Sequence, residues 1–268
     1  MRTALMTNVV ALPLLFGLLV SLETRSDEPS ESWIERLIAV HRPVETLRCD
    51  IRRERTMSGK TTTRLSRVWY ARGDRLRVEG VSPLPTRVLA DGTTIYKWIE
   101  GNPYGVRLAL SDAPANEQQQ VRQVPGTAEE YLLRLRGSHE TLLPGTPEYP
   151  IRVACHLEAS DLRATLSLDP SNRLCHIEYV EETATQPRRM RIVFSNWTEL
   201  RPGVFMPTLH RIRIEDDQRP PIDETVVISR VSVNPTFDLE EFDIARHAAN
   251  IRFVSPAEME RLLKEAPQ

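Results

Sequence analysis

The spacing of hydrophobic residues changes along this chain. SESWIERLIAVHR, from Ser30, sets Trp33, Ile34, Leu37, Ile38 and Val40 at helical intervals, with Pro43 to stop the run. That predicts a short amphipathic helix opened by a capping serine. The period then falls to two. ETLRCDIRRERT puts Leu47, Cys49 and Ile51 on one side, and beyond Ser58-Gly59 the run TTTRLSRVWYAR sets Leu65, Arg67, Trp69 and Ala71 against Ser66, Val68 and Tyr70. RLRVEGV, PTRVLA, TTIYKWI and YGVRLALS continue the alternation, with Asp91-Gly92 between two of them. Asp-Gly is favoured in two-residue primed turns, where both central residues take positive φ. This half therefore reads as a six-stranded meander.

The alternation stops at the polar stretch SDAPANEQQQVRQVPG. TAEEYLLRLRGS then predicts a helix capped by Thr127, and LLPGTPEYP a proline-rich connector. IRVACHLE, LRATLSLD, RLCHIEYVEE, RRMRIVFSNW, GVFMPTLHRIRIE and ETVVISRVSVN predict further strands, two of them joined by a tight turn at DPSN. A last helix opens at Ser255-Pro256-Ala257-Glu258, with a cap, a proline at the first helical position and a glutamate at the third. The fold class expected is mainly β (α+β): an unclosed antiparallel half-barrel of about 11–12 strands, with a few short helices as lid or plug.

At 268 residues, 40% hydrophobic, the chain can bury one sizeable core. A net charge of -2 gives no reason to expect nucleic acid as a partner. The basic residues are nearly all arginine, with lysine only at Lys60, Lys97 and Lys264. Met1-Arg2 followed by the apolar run VVALPLLFGLLVSL predicts a secretory signal peptide over residues 1–26, with Thr24 and Ser26 before the cleavage point and residues 27–268 as a single domain. An uncleaved anchor is the alternative reading of that run. Either places the protein in the periplasm or cell envelope.

Cys155 and Cys175 are each followed by histidine, but neighbours on a strand face opposite sides, so four metal ligands would not converge. Pairing residue 155 with 165, and 175 with 167, leaves the two cysteines two strands apart, about 10 Å or more. A disulfide needs Cα atoms within about 7 Å, so free thiols are expected. The sequence holds no nucleophile elbow, phosphate loop, dinucleotide fingerprint or HExxH. No catalytic residue, cofactor or metal is expected.

So long a run of strands must curl, and three helical segments are too few to fill the curl. The residues expected to line its hollow side are Leu65, Trp69, Leu76, Val78, Tyr96, Trp98, Met190, Ile192, Phe194, Met206, Ile212 and Ile214. The orientation of the strand at 94–99 is open. Such a hollow suits acyl chains.

The order of these elements resembles the outer-membrane lipoprotein carrier family, LolA-like proteins, whose fold is shared with LolB and RseB-type sensors. The resemblance rests on the N-terminal helix, two long strands, RVWYARGDRLRVEG and VLADGTTIYKW, and covers about residues 31–110. NW, GVFMP and VNPTFDLEEFDI are similar in style to the closing part of such chains. The resemblance implies an unclosed barrel with a helical lid, acyl chains bound between them, and a periplasmic carrier of lipid or lipoprotein. An RseB-like sensor or scaffold that binds lipid and a protein partner is the alternative. A membrane-associated donor or acceptor protein is the partner implied. Trp69 and Arg72 fall at the family's aromatic and lid-locking arginine positions, and Gly73 replaces its proline.

Overall fold

The computed structural model describes residues 32–182 and 187–265. The expected signal peptide lies outside them. The first helix, α1 (Trp33–Ala39), is capped by Ser32, whose hydroxyl accepts from the Glu35 N–H. β1 (Thr46–Met57), β2 (Lys60–Ala71), β3 (Arg75–Ser82), β4 (Thr86–Asp91), β5 (Thr94–Ile99) and β6 (Tyr104–Ala109) follow as the expected antiparallel meander. After α2 (Ala115–Arg122) and α3 (Glu129–Leu132), a second meander runs through β7 (His139–Leu143), β8 (Ile151–Leu157), β9 (Leu162–Leu168), β10 (Leu174–Glu182), β11 (Pro187–Arg201), β12 (Val204–Asp216) and β13 (Arg219–Val233). The described residues close with α4 (Ile244–Ala248), β14 (Arg252–Val254) and α5 (Pro256–Glu265).

All the strands join one sheet of 14, ordered β14-β6-β5-β4-β3-β2-β1-β13-β12-β11-β10-β9-β8-β7. The two meanders meet where β1 pairs antiparallel with β13, and the outer strands β14 and β7 stay unpaired with each other. This is the unclosed half-barrel expected, with two strands more. β7 is a mostly exposed edge, and β14 is three residues pairing parallel to β6. Neither carries the alternating apolar run that marks a strand in sequence. The polar stretch after β6 contains α2, whose only buried residue is Val121. The predicted helix at 127–138 is one α-turn, α3, continued as a 3₁₀ turn over Leu133–Leu135.

The turns differ in detail. Ser58 and Gly59, the two-residue loop that joins Met57 to Lys60, both have positive φ, as do Gly73 and Asp74 between β2 and β3. At Asp91-Gly92 only the glycine has positive φ, and the Asp91 carboxylate accepts from the N–H groups of Thr93 and Thr94, both at 2.9 Å. A local carboxylate cap has taken the place of the primed turn there. Cys155 lies opposite Ala164, and a bulge between Leu174 and His176 displaces Cys175 from the expected register. The cysteines still sit two strands apart, and Cys49, Cys155 and Cys175 are all free.

Candidate functional site

Directly paired residues of a sheet share a face, so the ladder fixes which side chains meet. Tyr70, Leu76, Ala90 and Ile95 form one row across β2 to β5, and Val68, Val78, Val88 and Lys97 another. Both rows point to the inner face, where the main core lies. Trp69, Arg77, Leu89 and Tyr96 form the intervening row on the outer face. The inward assignment of Leu65, Trp69, Tyr96 and Trp98 is therefore corrected, since Trp98 shares the face of Tyr96. Both alternating sets on β2 are apolar enough to be core, and composition alone could not choose between them.

Trp69 is nevertheless buried. It packs with Ala71 and Phe242 in a small separate cluster beneath the C-terminal segment. Its ring lies under the Arg77 guanidinium at 4.1 Å and near that of Arg48 at 5.4 Å, the geometry of a cation–π stack. Arg77 pairs in turn with Glu79 and Glu241. Tyr96 and Trp98 meet the edge of Phe253 on β14, at 5.1 and 5.8 Å between ring centres. There is room for this because Gly105 faces Phe253: a Cβ at 105 would come within 2.5 Å of that ring. Leu65, at 37% exposure, packs into neither core cluster.

On the inner face, α2 crosses the first meander and leaves space on both sides of itself. A cavity of about 650 Å³ lies between α2, the chain at 123–126 and strands β1 to β3. Its floor is Ile51, Val68, Leu76 and Val78, and its walls carry Arg53, Arg64, Glu130 and Arg134. A second cavity, of about 580 Å³, lies between α2, β4 to β6 and α5. It is the greasier of the two, lined by Val88, Ile95, Val106, Val121, Met259 and Leu263, with Trp98 also on its border. Leu76, Asn116 and Gln120 border both. Each volume lies within the roughly 300–1,000 Å³ usual for ligand sites. Of the twelve residues expected to line a hollow, Leu76 and Val78 do so from the inner face, and Trp98 touches the border of the second cavity from the outer row.

The second meander is filled instead. Ile192, Phe194, Met206 and Ile212 are buried in the main core, and Met190 and Ile214 pack against it. None of these six borders either cavity. Tyr131 on α3 plugs this side: its ring centre is 5.8 Å from Phe194, and its carbonyl accepts the Tyr179 hydroxyl at 2.7 Å. Gly126 lets the preceding loop press down, since a Cβ there would meet Met206 and Ile228 within 3 Å. These side chains are core because apolar helix residues already occupy the space they face.

The covering segments are held by few polar links. Arg72 donates to the carbonyls of Arg42, at 2.5 Å, and Val44, at 3.0 Å, just beyond α1, and pairs with Glu45. This is a guanidinium collecting carbonyls of the turn that joins α1 to β1. At the other end of α1, Glu140 on β7 accepts from the Ser32 hydroxyl and the Trp33 N–H. α2 is tied by Lys97–Glu117 at 2.5 Å and Arg122–Asp74 at 3.4 Å. Burial pushes His41, which follows α1, down to about 4, and does the same to His210 beside Phe194. It pushes the Cys49 and Cys155 thiols up to about 12, which keeps them unreactive. Among the described residues, no group of three His, Cys, Asp or Glu side chains could hold a metal ion.

No protein family description and no curated protein matches this sequence. Solved structures do match its fold. A LolA superfamily protein from Nitrosomonas europaea is 14% identical, with a TM-score of 0.50 over 77% of this chain and 94% of its own. A domain assigned as an outer membrane lipoprotein-sorting protein, from Vibrio parahaemolyticus, is 10% identical, with a TM-score of 0.51 over 78% and 97%. With its open sheet, its helices on the inner face and these neighbours, the chain has a LolA-like fold.

Proposed function

We propose that this protein is a carrier of the cell envelope that takes the acyl chains of a lipid or lipoprotein into the space around α2, with no chemical step. The observation that carries this reading is the pair of cavities on the inner face of the first meander, divided only by a polar helix. Burying a methylene is worth about 0.8 kcal/mol, so a sixteen-carbon chain gains roughly 10 kcal/mol before ordering costs. That margin is large enough to bind and small enough to surrender to an acceptor with a better site. α2 and α1 act as the lid, and Arg72 holds α1 closed. The N-terminal apolar run supports export, and a membrane-associated protein would give or receive the cargo.

Native mass spectrometry of the protein purified from its own envelope fraction tests this. A bound species with the mass of a lipid or acylated peptide is expected. A clean polypeptide mass under gentle ionisation would overturn the reading.

A further inference from the structure

The larger cavity has a wall with more positive than negative side chains: Arg53, Arg64 and Arg134 against Glu130. Arg53 on β1 and Arg64 on β2 are direct cross-strand partners. Their side chains leave the sheet on one face with Cβ atoms about 5 Å apart, an arrangement that is destabilising for like charges. Both line the cavity, as does Arg134 from the 3₁₀ turn after α3. Arg53 is paired with Glu224 at 3.2 Å. Among the described residues neither Arg64 nor Arg134 has an ion pair within 4 Å; Arg134 lies over the Tyr179 ring, at 5.6 Å, and acts on Glu130 at longer range. The one carboxylate on the cavity wall is Glu130. Burial raises its pKa, while the charges of Arg53 and Arg134 pull it down.

The floor beneath them changes character over a short distance. On β1 the inner-face residues run Leu47, Cys49, Ile51 and then Arg53. From Leu76 the surface continues past α2 into the second, apolar cavity. The inner face is thus amphipathic along its length, greasy at one end and cationic at the other.

We propose that the cargo is an anionic amphiphile, held with a phosphate or carboxylate between Arg53, Arg64 and Arg134 and with its hydrocarbon tail laid over Leu76 toward the apolar cavity. This rests on the carrier reading and narrows it. Guanidinium groups bind such anions through paired, charge-assisted hydrogen bonds. An anion here also relieves the repulsion between Arg53 and Arg64.

The test is displacement of the uncharged dye N-phenylnaphthylamine from delipidated protein by four amphiphiles of equal tail length: hexadecyl phosphate, palmitate, hexadecanol and hexadecyltrimethylammonium. A hydrogen bond to a charged group is worth about 1.5–3 kcal/mol, so the anionic pair should displace the dye at concentrations about tenfold or more below hexadecanol. That advantage should shrink in about 0.5 M salt, where exposed charges are screened. Arg64→Gln should cut the advantage while leaving hexadecanol unchanged. Arg134→Gln, on a different element, should do the same and serves if the first variant fails to fold. Preference for phosphate over carboxylate would point to a phospholipid rather than a fatty acid source, and either preference supports the inference. Equal displacement by all four overturns it and leaves the carrier reading standing. No dye uptake and no binding of any amphiphile overturns both.

Discussion

The two meanders of this sheet are made of similar alternating strands, yet one is solid and the other hollow. Over β8 to β13 the inner rows close on Tyr131, Leu132 and Leu135, which are buried. Over β1 to β6 the covering helix reads ANEQQQVR and buries only Val121. A helix carrying amides cannot sink onto an apolar sheet, because the sheet's apolar side chains offer those amides no hydrogen-bond partner in place of water. It stands off, and the space remains. The alternation of a strand thus decides which residues can leave water. The covering segment decides whether they meet protein or a void.

The largest difference between the meanders should appear on truncation. Phe194→Ala, at 2% exposure in the filled half, should cost about 3–5 kcal/mol in denaturant unfolding, the range for buried aromatic deletions. Val78→Ala, whose side chain already borders the cavity, should cost below about 1 kcal/mol, because it loses fewer contacts. Equal costs would mean that the hollow is closed in solution.

Acid separates the two regions by a different route. His41 and His210 are held neutral in the fold, near 4, and protonate near 6.5 once released. The unfolded chain therefore binds more protons between those values, and stability falls as pH drops from about 6.5 to 4. Each ring should account for on the order of 1–3 kcal/mol of that loss. Unfolding midpoints at the two pH values, for the parent protein and for His210→Phe, check this. The variant should lose about half of the pH dependence, and the remainder should belong to His41 at the end of α1.

Overpacking should sort the two halves in the opposite sense. Val153→Phe, fully buried in the filled half, should destabilise by about 1–3 kcal/mol. Ser66→Phe, pointing into the larger cavity, should leave stability nearly unchanged while reducing the lipid that co-purifies.

The smallest effect on stability is expected at Arg72. Its side chain is 43% exposed, so Arg72→Leu should cost only about 1 kcal/mol, the scale of one or two hydrogen bonds. It should nevertheless alter the release of bound lipid to acceptor vesicles more than its uptake. Unchanged release would count against α1 as part of the lid.

Much of this was legible in the sequence. The period-two runs from Leu47 to Leu110 and from Ile151 to Val233 located twelve of the strands, and Ser58-Gly59 and DPSN marked real turns. Leu76 and Val78 were placed on the correct face because their strand offers one apolar parity. Trp69 and Tyr96 were not, because their strands offer two. Bulk and aromaticity suggest the inside, whereas here both rings lie beneath a second layer formed by residues far along the chain. The three arginines carried no local signal. Arg53, Arg64 and Arg134 are ordinary strand and turn residues until the hairpin and the turn after α3 bring them to one wall.

The sequence by itself determined twelve of the fourteen strands, the first and last helices and the openness of the sheet, because hydrophobic period and turn chemistry act over a few neighbouring residues. Only the tertiary structure decided which half stayed empty, which face Trp69 took and which arginines came together. Those outcomes depend on pairings and coverings between segments tens to hundreds of residues apart, and a local pattern holds no record of them.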